Sequence, residues 1–186
     1  WGSNMKKLLI WDCDETLWSG TIMDGEEPSI NTFTRNMVEV LSSRGVVQSI
    51  ASRNLIEDIY EYLGVLDISD YFLVPQADLT TPKSKMIHTI KEELGLARFE
   101  DIVFVDDQLF NRAEVEIACP GITVCDPSEM PEIISKYFTK EHYTDDDKKR
   151  VQRYRSEIER KRGASSYEGD YMSFLRASQM EMYIFH

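Results

Sequence analysis

The sequence predicts an α/β fold with a mostly parallel central sheet covered by helices on both faces. Short apolar runs alternate along the chain with segments of helical periodicity, the pattern of strands joined by helical crossovers. The apolar runs are nearly continuous rather than alternating with polar residues, as expected of strands buried on both sides. With 186 residues, 42% of them hydrophobic and 11% aromatic, the chain can enclose a sizeable core in one domain.

Taken in order, Lys6 to Asp12 reads as the first strand. Asn31 to Ser43 has helical spacing through Phe33, Met37, Val40 and Leu41, and Gly45 can stop it. Val46 to Ala51 is the second strand, followed by a helix from Leu55 to Leu63 closed by Gly64. Tyr71 to Val74 reads as a short strand, and Ser84 to Leu94 as a helix closed by Gly95. Ile102 to Val105 is a strand running into Asp106-Asp107, after which Leu109 to Ala118, Ile122 to Val124 and Met130 to Tyr137 give helix, strand and helix. Near Thr144 the composition turns acidic and then basic, and residues 145–186 read as a helical C-terminal extension of a single domain spanning 5–186. Residues 1–4 look like an expression scar.

Charge and cysteine usage narrow the function. A net charge of -12 speaks against a nucleic-acid binder, which needs a basic face to displace counterions from phosphates. Cys13, Cys119 and Cys125 are odd in number and lack a CxxC spacing, so neither a disulfide framework nor a thiolate zinc site is indicated and a reduced, cytoplasmic setting is expected. No apolar segment approaches the roughly 20 residues that span a bilayer, and no signal peptide precedes the first strand. No membrane partner is expected.

In parallel sheets ligands bind beyond the carboxyl ends of the strands, so the residues just after each strand are informative. Here they are Asp12 and Asp14, then Ser52-Arg53-Asn54, then Pro82-Lys83-Ser84 after a loop, then Asp106-Asp107. Burying carboxylates costs several kcal/mol unless a cation, hydrogen bonds or a catalytic role compensates. Acids, a hydroxyl and an ammonium converging on one crevice form an inventory for magnesium and phosphate: hard oxygen ligands for the metal, and cationic and hydroxyl groups for phosphoryl oxygens.

The pattern Asp12-x-Asp14-x-Thr16, Ser52 at the end of the second strand, Lys83 before a helix, and Asp106-Asp107 after a later strand resembles the haloacid dehalogenase (HAD) superfamily of phosphotransferases. The resemblance implies a HAD-like Rossmannoid three-layer fold. It also implies Asp12 as nucleophile, Asp14 as general acid and base, Thr16, Ser52, Arg53, Asn54 and Lys83 around the phosphoryl group, and Asp12, Asp14, Asp106 and Asp107 around Mg2+. The stretch from Ser19 to Asn31 is too short for a large cap domain. Leu17-Trp18-Ser19-Gly20, Ser52-Arg53-Asn54, Pro82-Lys83-Ser84 and Val103 to Arg112 further resemble the FkbH-like branch of HAD subfamily IIIC, a likeness extended by Asp147, Arg150, Tyr154, Glu157 and Arg160 and by Ser166-Tyr167 to Leu175. Arg53 stands where that branch leads one to expect Lys, and Thr80-Thr81 replace an aromatic residue before Pro82.

FkbH-like proteins are glyceryl transferase and phosphatase enzymes of polyketide biosynthesis. The resemblance implies capture of a glyceryl unit from 1,3-bisphosphoglycerate, a small phosphorylated C3 substrate, its dephosphorylation, and delivery to the phosphopantetheine thiol of an acyl carrier protein. Cys13 has two readings: a catalytic thiolate that holds the glyceryl group as a thioester, or a small buried apolar residue, which strand alternation favours by pointing it away from Asp12 and Asp14. The alternative activity is a plain magnesium-dependent phosphatase acting on a small phosphate ester or a phosphoprotein, and a third reading is a docking platform that keeps only the fold.

Bland readings accompany each feature. Asp12, Asp14 and Asp107 could sit on solvated turns, Ser52 and Asn54 could cap the helix beginning at Leu55, and Lys83 alone would be a surface lysine. Trp11 and Trp18 read as packing or pocket wall. The basic run from Lys148 to Arg162 is either a solvated helix face or a dock for an acidic carrier domain or for the substrate's phosphates.

Overall fold

A computed structural model describes residues 5–184, with side chains through residue 164. The expected scar at 1–4 and the side chains of the Ser166 to Leu175 segment lie outside the described residues. Five parallel strands form one sheet: β1 (Leu8–Trp11), β2 (Val47–Ser52), β3 (Gln76–Ala77), β4 (Ile102–Val105) and β5 (Thr123–Cys125), in the spatial order β3-β2-β1-β4-β5. The helices are α1 (Thr32–Ser43), α2 (Ile56–Val65), α3 (Lys83–Glu93), α4 (Leu109–Ala118), α5 (Met130–Tyr137) and α6 (Asp145–Ile184). This is the expected three-layer α/β architecture.

Every residue of β1, β2 and β4 is buried, and β1 and β4 read accordingly as unbroken apolar runs. Leu9, Trp11, Val103 and Val105 join Val38 and Leu41 of α1, Ile59 and Leu63 of α2 and Ile133 of α5 in one core cluster. By alternation Leu8, Ile10, Ile102 and Phe104 face the other way, toward α3 and α4, whose Met86, Ile87, Ile90 and Val115 are buried. The one amide inside β2, Gln48, is fully satisfied: Trp11 Nε1 donates to its Oε1 at 3.0 Å, and its Nε2 donates to the Val38 carbonyl at 2.9 Å.

Two expected elements differ. The strand expected at Tyr71–Val74 is a 3-10 turn over Ser69–Tyr71, a single bridge from Phe72 to Gln48, and a Val74 with φ of 46°; the strand that pairs with Ala51 and Ser52 is Gln76–Ala77. Phe72, Leu73 and Val74 are buried, and an apolar run of this length fits a packed turn as well as a strand. Gly64 does not close α2, which continues to Val65; the left-handed turn is made two residues later by Asp67 (φ 55°).

The topology positions the site. From β1 the chain moves outward through β2 to β3, then crosses back to place β4 on the other side of β1. The crevice at this reversal lies at the carboxyl ends of β1 and β4, where Asp12 and Asp106 emerge. Between β1 and α1 the chain makes only a short excursion, a 3-10 turn at Ile22–Asp24 clasped by an antiparallel bridge between Ser19 and Ser29. No cap domain stands between Asp12 and α1.

A first compact unit ends at Val151 and a second begins at Gln152. Within the first, the start of α6 carries a reciprocal cap: Thr144 N–H donates to Asp147 Oδ2 at 2.8 Å, and Asp147 N–H donates to Thr144 Oγ1 at 3.1 Å. Bonds from Lys140 and Thr144 hold the Asp147 carboxyl well below the ordinary carboxylate range. This turn packs on Gly45, which has φ of 80° and whose Cβ, were it present, would overlap the Asp147 carbonyl oxygen. Gly45→Ala should therefore lower stability by about 2–4 kcal/mol, combining left-handed strain with overpacking. At Gly25 φ is a similar 78°, but an added methyl group would meet no atom within 4 Å, so Gly25→Ala should cost only the strain, about 1–2 kcal/mol. Urea unfolding of the two variants measures the difference.

Candidate active site

Beyond β1 the chain tightens into a turn in which Leu17 N–H and Trp18 N–H both donate to the Cys13 carbonyl, at 3.0 and 3.2 Å. Glu15 adopts φ of 58°, a sparsely populated conformation for a non-glycine residue, and its Oε1 accepts from Gly20 N–H at 2.6 Å. The turn brings Asp12, Asp14 and Thr16 to the head of the sheet.

Lys83, the first residue of α3, is 1% exposed and reaches across to the end of β1. Its Nζ donates to Asp12 Oδ1 at 2.7 Å and to the Ala51 carbonyl at 2.6 Å, and stands 3.5 Å from Asp106 Oδ2. The other oxygen of Asp12 lies 3.0 Å from Thr16 Oγ1, which is equally 3.0 Å from Asp107 Oδ1 and accepts from Asp107 N–H at 3.1 Å. The single hydroxyl proton of Thr16 serves one carboxylate at a time. Thr16, expected around the phosphoryl group, is thus a brace between two acids. Asp106 is fully buried; its Oδ1 accepts from Gln108 N–H at 2.8 Å and its Oδ2 has no hydrogen-bond partner.

The donor set fits a divalent cation. Ligand oxygens of Asp12, Asp106 and Asp107 lie within 4.8 Å of one another. Three carboxylates face one ammonium, and the buried Asp106 Oδ2 has no hydrogen bond and only a 3.5 Å ion pair to Lys83, a deficit that a divalent cation would fill. Burial raises the Asp12 carboxyl to about 6, against the opposing pull of Lys83. Burial, then the charge of Asp12, also raises Asp106. Asp14, expected among the metal ligands, stands outside this trio. Its carboxylate instead accepts from Trp18 Nε1 at 3.1 Å, from Asn54 Nδ2 at 2.9 Å and from Ile22 N–H at 3.3 Å.

Other expectations are sorted by position. Ser52 is buried at the end of β2, and its Oγ accepts from Asn54 Nδ2 at 2.9 Å. Neither Ser52 nor Asn54 caps α2, whose N-cap is Leu55 without a side-chain bond. Arg53, expected near the phosphoryl group, is exposed on the rim. Cys13 is corrected to its apolar reading: it is fully buried in the core cluster, and burial, reinforced by Asp12 and Asp14, pushes its thiol well above the ordinary range. A buried, protonated thiol is not a nucleophile.

Several contributors escaped the sequence reading. Trp18 donates to Asp14 rather than serving only as wall, and Glu114 of α4 accepts from Ser84 N–H at 3.0 Å, fixing the first turn of α3 beside Lys83. Arg112 donates to the Asp106 carbonyl at 2.8 Å. Asn111 is buried behind Asp106 with its Oδ1 unpartnered. The contacts of Asn111 and Glu114 depend on how α4 packs, which local spacing does not encode. A cavity of about 310 Å³ is lined by Thr16, Trp18, Phe33, Met37 and Met130 among others, and none of the three clustered acids lines it.

No protein-family model matches the chain, and no curated protein matches it. Solved structures do. The N-terminal part of BF1531 from Bacteroides fragilis, containing a phosphatase domain complexed with Mg, superposes with a TM-score of 0.65 and 27% identity over 76% of this chain and 42% of that one. A HAD-superfamily hydrolase from Ehrlichia chaffeensis superposes with a TM-score of 0.58 and 11% identity over 73% of this chain and 100% of that one. An uncharacterized protein from Listeria monocytogenes serotype 4b gives a TM-score of 0.57 and 18% identity over 69% and 97%. The fold is therefore that of HAD-like chains, and this chain spans about two fifths of the BF1531 chain it matches.

The acid cluster sets a pH dependence. A cation must displace protons from Asp12 and Asp106, so affinity should fall as pH drops through about 6, by about tenfold between pH 7.5 and 5 for Asp12 alone. In the metal-free chain the sign is opposite for stability. Asp12, whose folded value is raised, contributes stability below its unfolded value and loses that contribution as pH rises through about 6. Calorimetric titration with Mg2+ and thermal melts across this range check both.

Proposed function

We propose that the chain is a magnesium-dependent phosphatase of the HAD type in which Asp12 takes the phosphoryl group. The observation that carries this is the Asp12–Lys83–Asp106 cluster: a fixed carboxylate at a strand end, one buried ammonium, and an orphaned acid oxygen beside it. The Mg-bound phosphatase domain of BF1531 supports it, as does the motif resemblance.

Asp12, Asp106 and Asp107 would hold Mg2+, which when bound supplies positive charge against the phosphoryl oxygens. Lys83 and Thr16 each hold one oxygen of Asp12 and so fix the orientation of its carboxylate. An Asp12 oxygen bonds to phosphorus as the ester bond breaks, and the leaving oxygen takes a proton from Asp14. Water then bonds to phosphorus, Asp14 takes its proton, and the bond to Asp12 breaks to release phosphate and restore the carboxylate. Lys83 keeps Asp12 ionised beside an anionic substrate.

The finer reading places the chain with the FkbH-like enzymes: the phosphate removed belongs to a C3 unit derived from 1,3-bisphosphoglycerate, and the glyceryl group passes to the phosphopantetheine thiol of an acyl carrier protein in the cytoplasm. The loop clasped by Ser19 and Ser29 leaves the site without a cap, which suits a carrier-tethered thiol. Since Cys13 is buried, the acyl phosphate carbonyl would be attacked by the carrier thiol itself, forming the thioester and expelling phosphate. A plain phosphatase acting on a small phosphate ester is the alternative.

Acid-quenched protein incubated with Mg2+ and para-nitrophenyl phosphate should carry a phosphoryl group on Asp12, seen by intact mass. Asp12→Asn should abolish it, and Asp14→Asn should slow both its formation and its breakdown. Absence of any magnesium-dependent turnover would sink the phosphatase reading. With 1,3-bisphosphoglycerate and a holo-carrier protein, a glyceryl mass on the carrier supports the transferase; free phosphate alone supports the phosphatase.

A further inference from the structure

We propose that Trp18 and Asn54 are positioning residues that aim the Asp14 carboxylate, and that Asn54 does not bind the phosphoryl group. This rests on the phosphatase reading, since Asp14 matters only if protons must move at the leaving oxygen.

The donors come from two pieces of chain, the connection between β1 and α1 and the end of β2. Trp18 Nε1 reaches Oδ1 from the turn after β1, and Ile22 N–H reaches the same oxygen from the loop beyond it. Asn54 Nδ2 reaches Oδ2 from the end of β2. With both oxygens held, the carboxylate cannot rotate without breaking a charge-assisted bond. The two side chains are themselves immobile. Trp18 is 2% exposed, belongs to the core cluster, and lies 6.4 Å from the Tyr62 ring centroid at an interplanar angle of 59°. Asn54 is 1% exposed, and its amide nitrogen also donates to Ser52 Oγ at 2.9 Å.

The chemistry of the amide excludes the other role. The Asn54 nitrogen is committed to Asp14 and Ser52, which leaves its Oδ1, buried and unpartnered, as the group on offer. A carbonyl oxygen cannot donate to an anionic phosphoryl oxygen. Flipping the amide would turn that oxygen against the Asp14 carboxylate, acceptor to acceptor. The Asn54 side chain therefore serves Asp14 and Ser52 at this site, and not a phosphoryl oxygen.

The test is a steady-state comparison in Mg2+ and para-nitrophenyl phosphate of the wild type, Trp18→Phe, Asn54→Ala, Asp14→Asn and the double variant Trp18→Phe/Asp14→Asn. Trp18→Phe keeps an aromatic ring and removes the N–H, and should lower kcat by about tenfold with KM within about twofold, because loss of aim costs rate rather than binding. In the Asp14→Asn background the same change should do almost nothing further. Asn54→Ala should likewise reduce kcat with little change in KM. Equal losses from Trp18→Phe with and without Asp14, or an Asn54→Ala variant that raises KM at constant kcat, would overturn the proposal.

A readout independent of turnover separates this from the phosphatase reading. The indole N–H resonance of Trp18, assigned by its loss in Trp18→Phe, should move upfield in Asp14→Asn as a charged acceptor becomes neutral. A resonance that does not move means that the contact is absent and overturns the proposal. A resonance that moves in a wild type devoid of activity overturns the catalytic role of the contact together with the phosphatase reading.

Discussion

The structure turns on one buried ion pair, Lys83 with Asp12. An ammonium offers three donors, and here they are directed at the Asp12 carboxylate, the Ala51 carbonyl and the side of Asp106. Lys83 thereby ties the ends of β1, β2 and β4 to the first turn of α3. Removing its charge would strand acids in the interior, the costly half of any buried pair. Such a pair is weak evidence for stability, because apolar residues of similar size would pack as well. Its presence at a strand reversal instead marks a place where charge is wanted.

Legibility in the sequence followed the reach of the interactions. β1 and β4 were plain because both faces are covered and every residue is apolar, and the acids that end them were plain because nothing about packing calls for them there. Asp12, Lys83, Asp106 and Asp107 converge as their strand-end positions imply. The third strand was misplaced because Phe72, Leu73 and Val74 are core filler in a turn, and pattern alone does not separate a buried turn from a buried strand.

Within the site, what escaped were the directions of side chains. Asp14 and Asp12 are two residues apart, yet the turn that starts at Cys13 sends one carboxylate to the cation trio and the other to Trp18 and Asn54. Spacing suggested shared ligation; the partners that hold Asp14, Trp18 and Asn54, come from other parts of the chain and are not encoded in that spacing. Cys13 was open to two readings for the same reason, and the turn keeps it on the core side.

All three cysteines are enclosed, and burial lifts Cys119 to about 11 and Cys125 to about 12, with Cys13 raised as well. The described residues thus hold no thiolate at neutral pH for peroxide to attack. A carboxylate such as that of Asp12, unlike a thiolate, carries no sulfur lone pair for peroxide to oxidise. Oxidants that act on exposed thiolates would find none among these three cysteines.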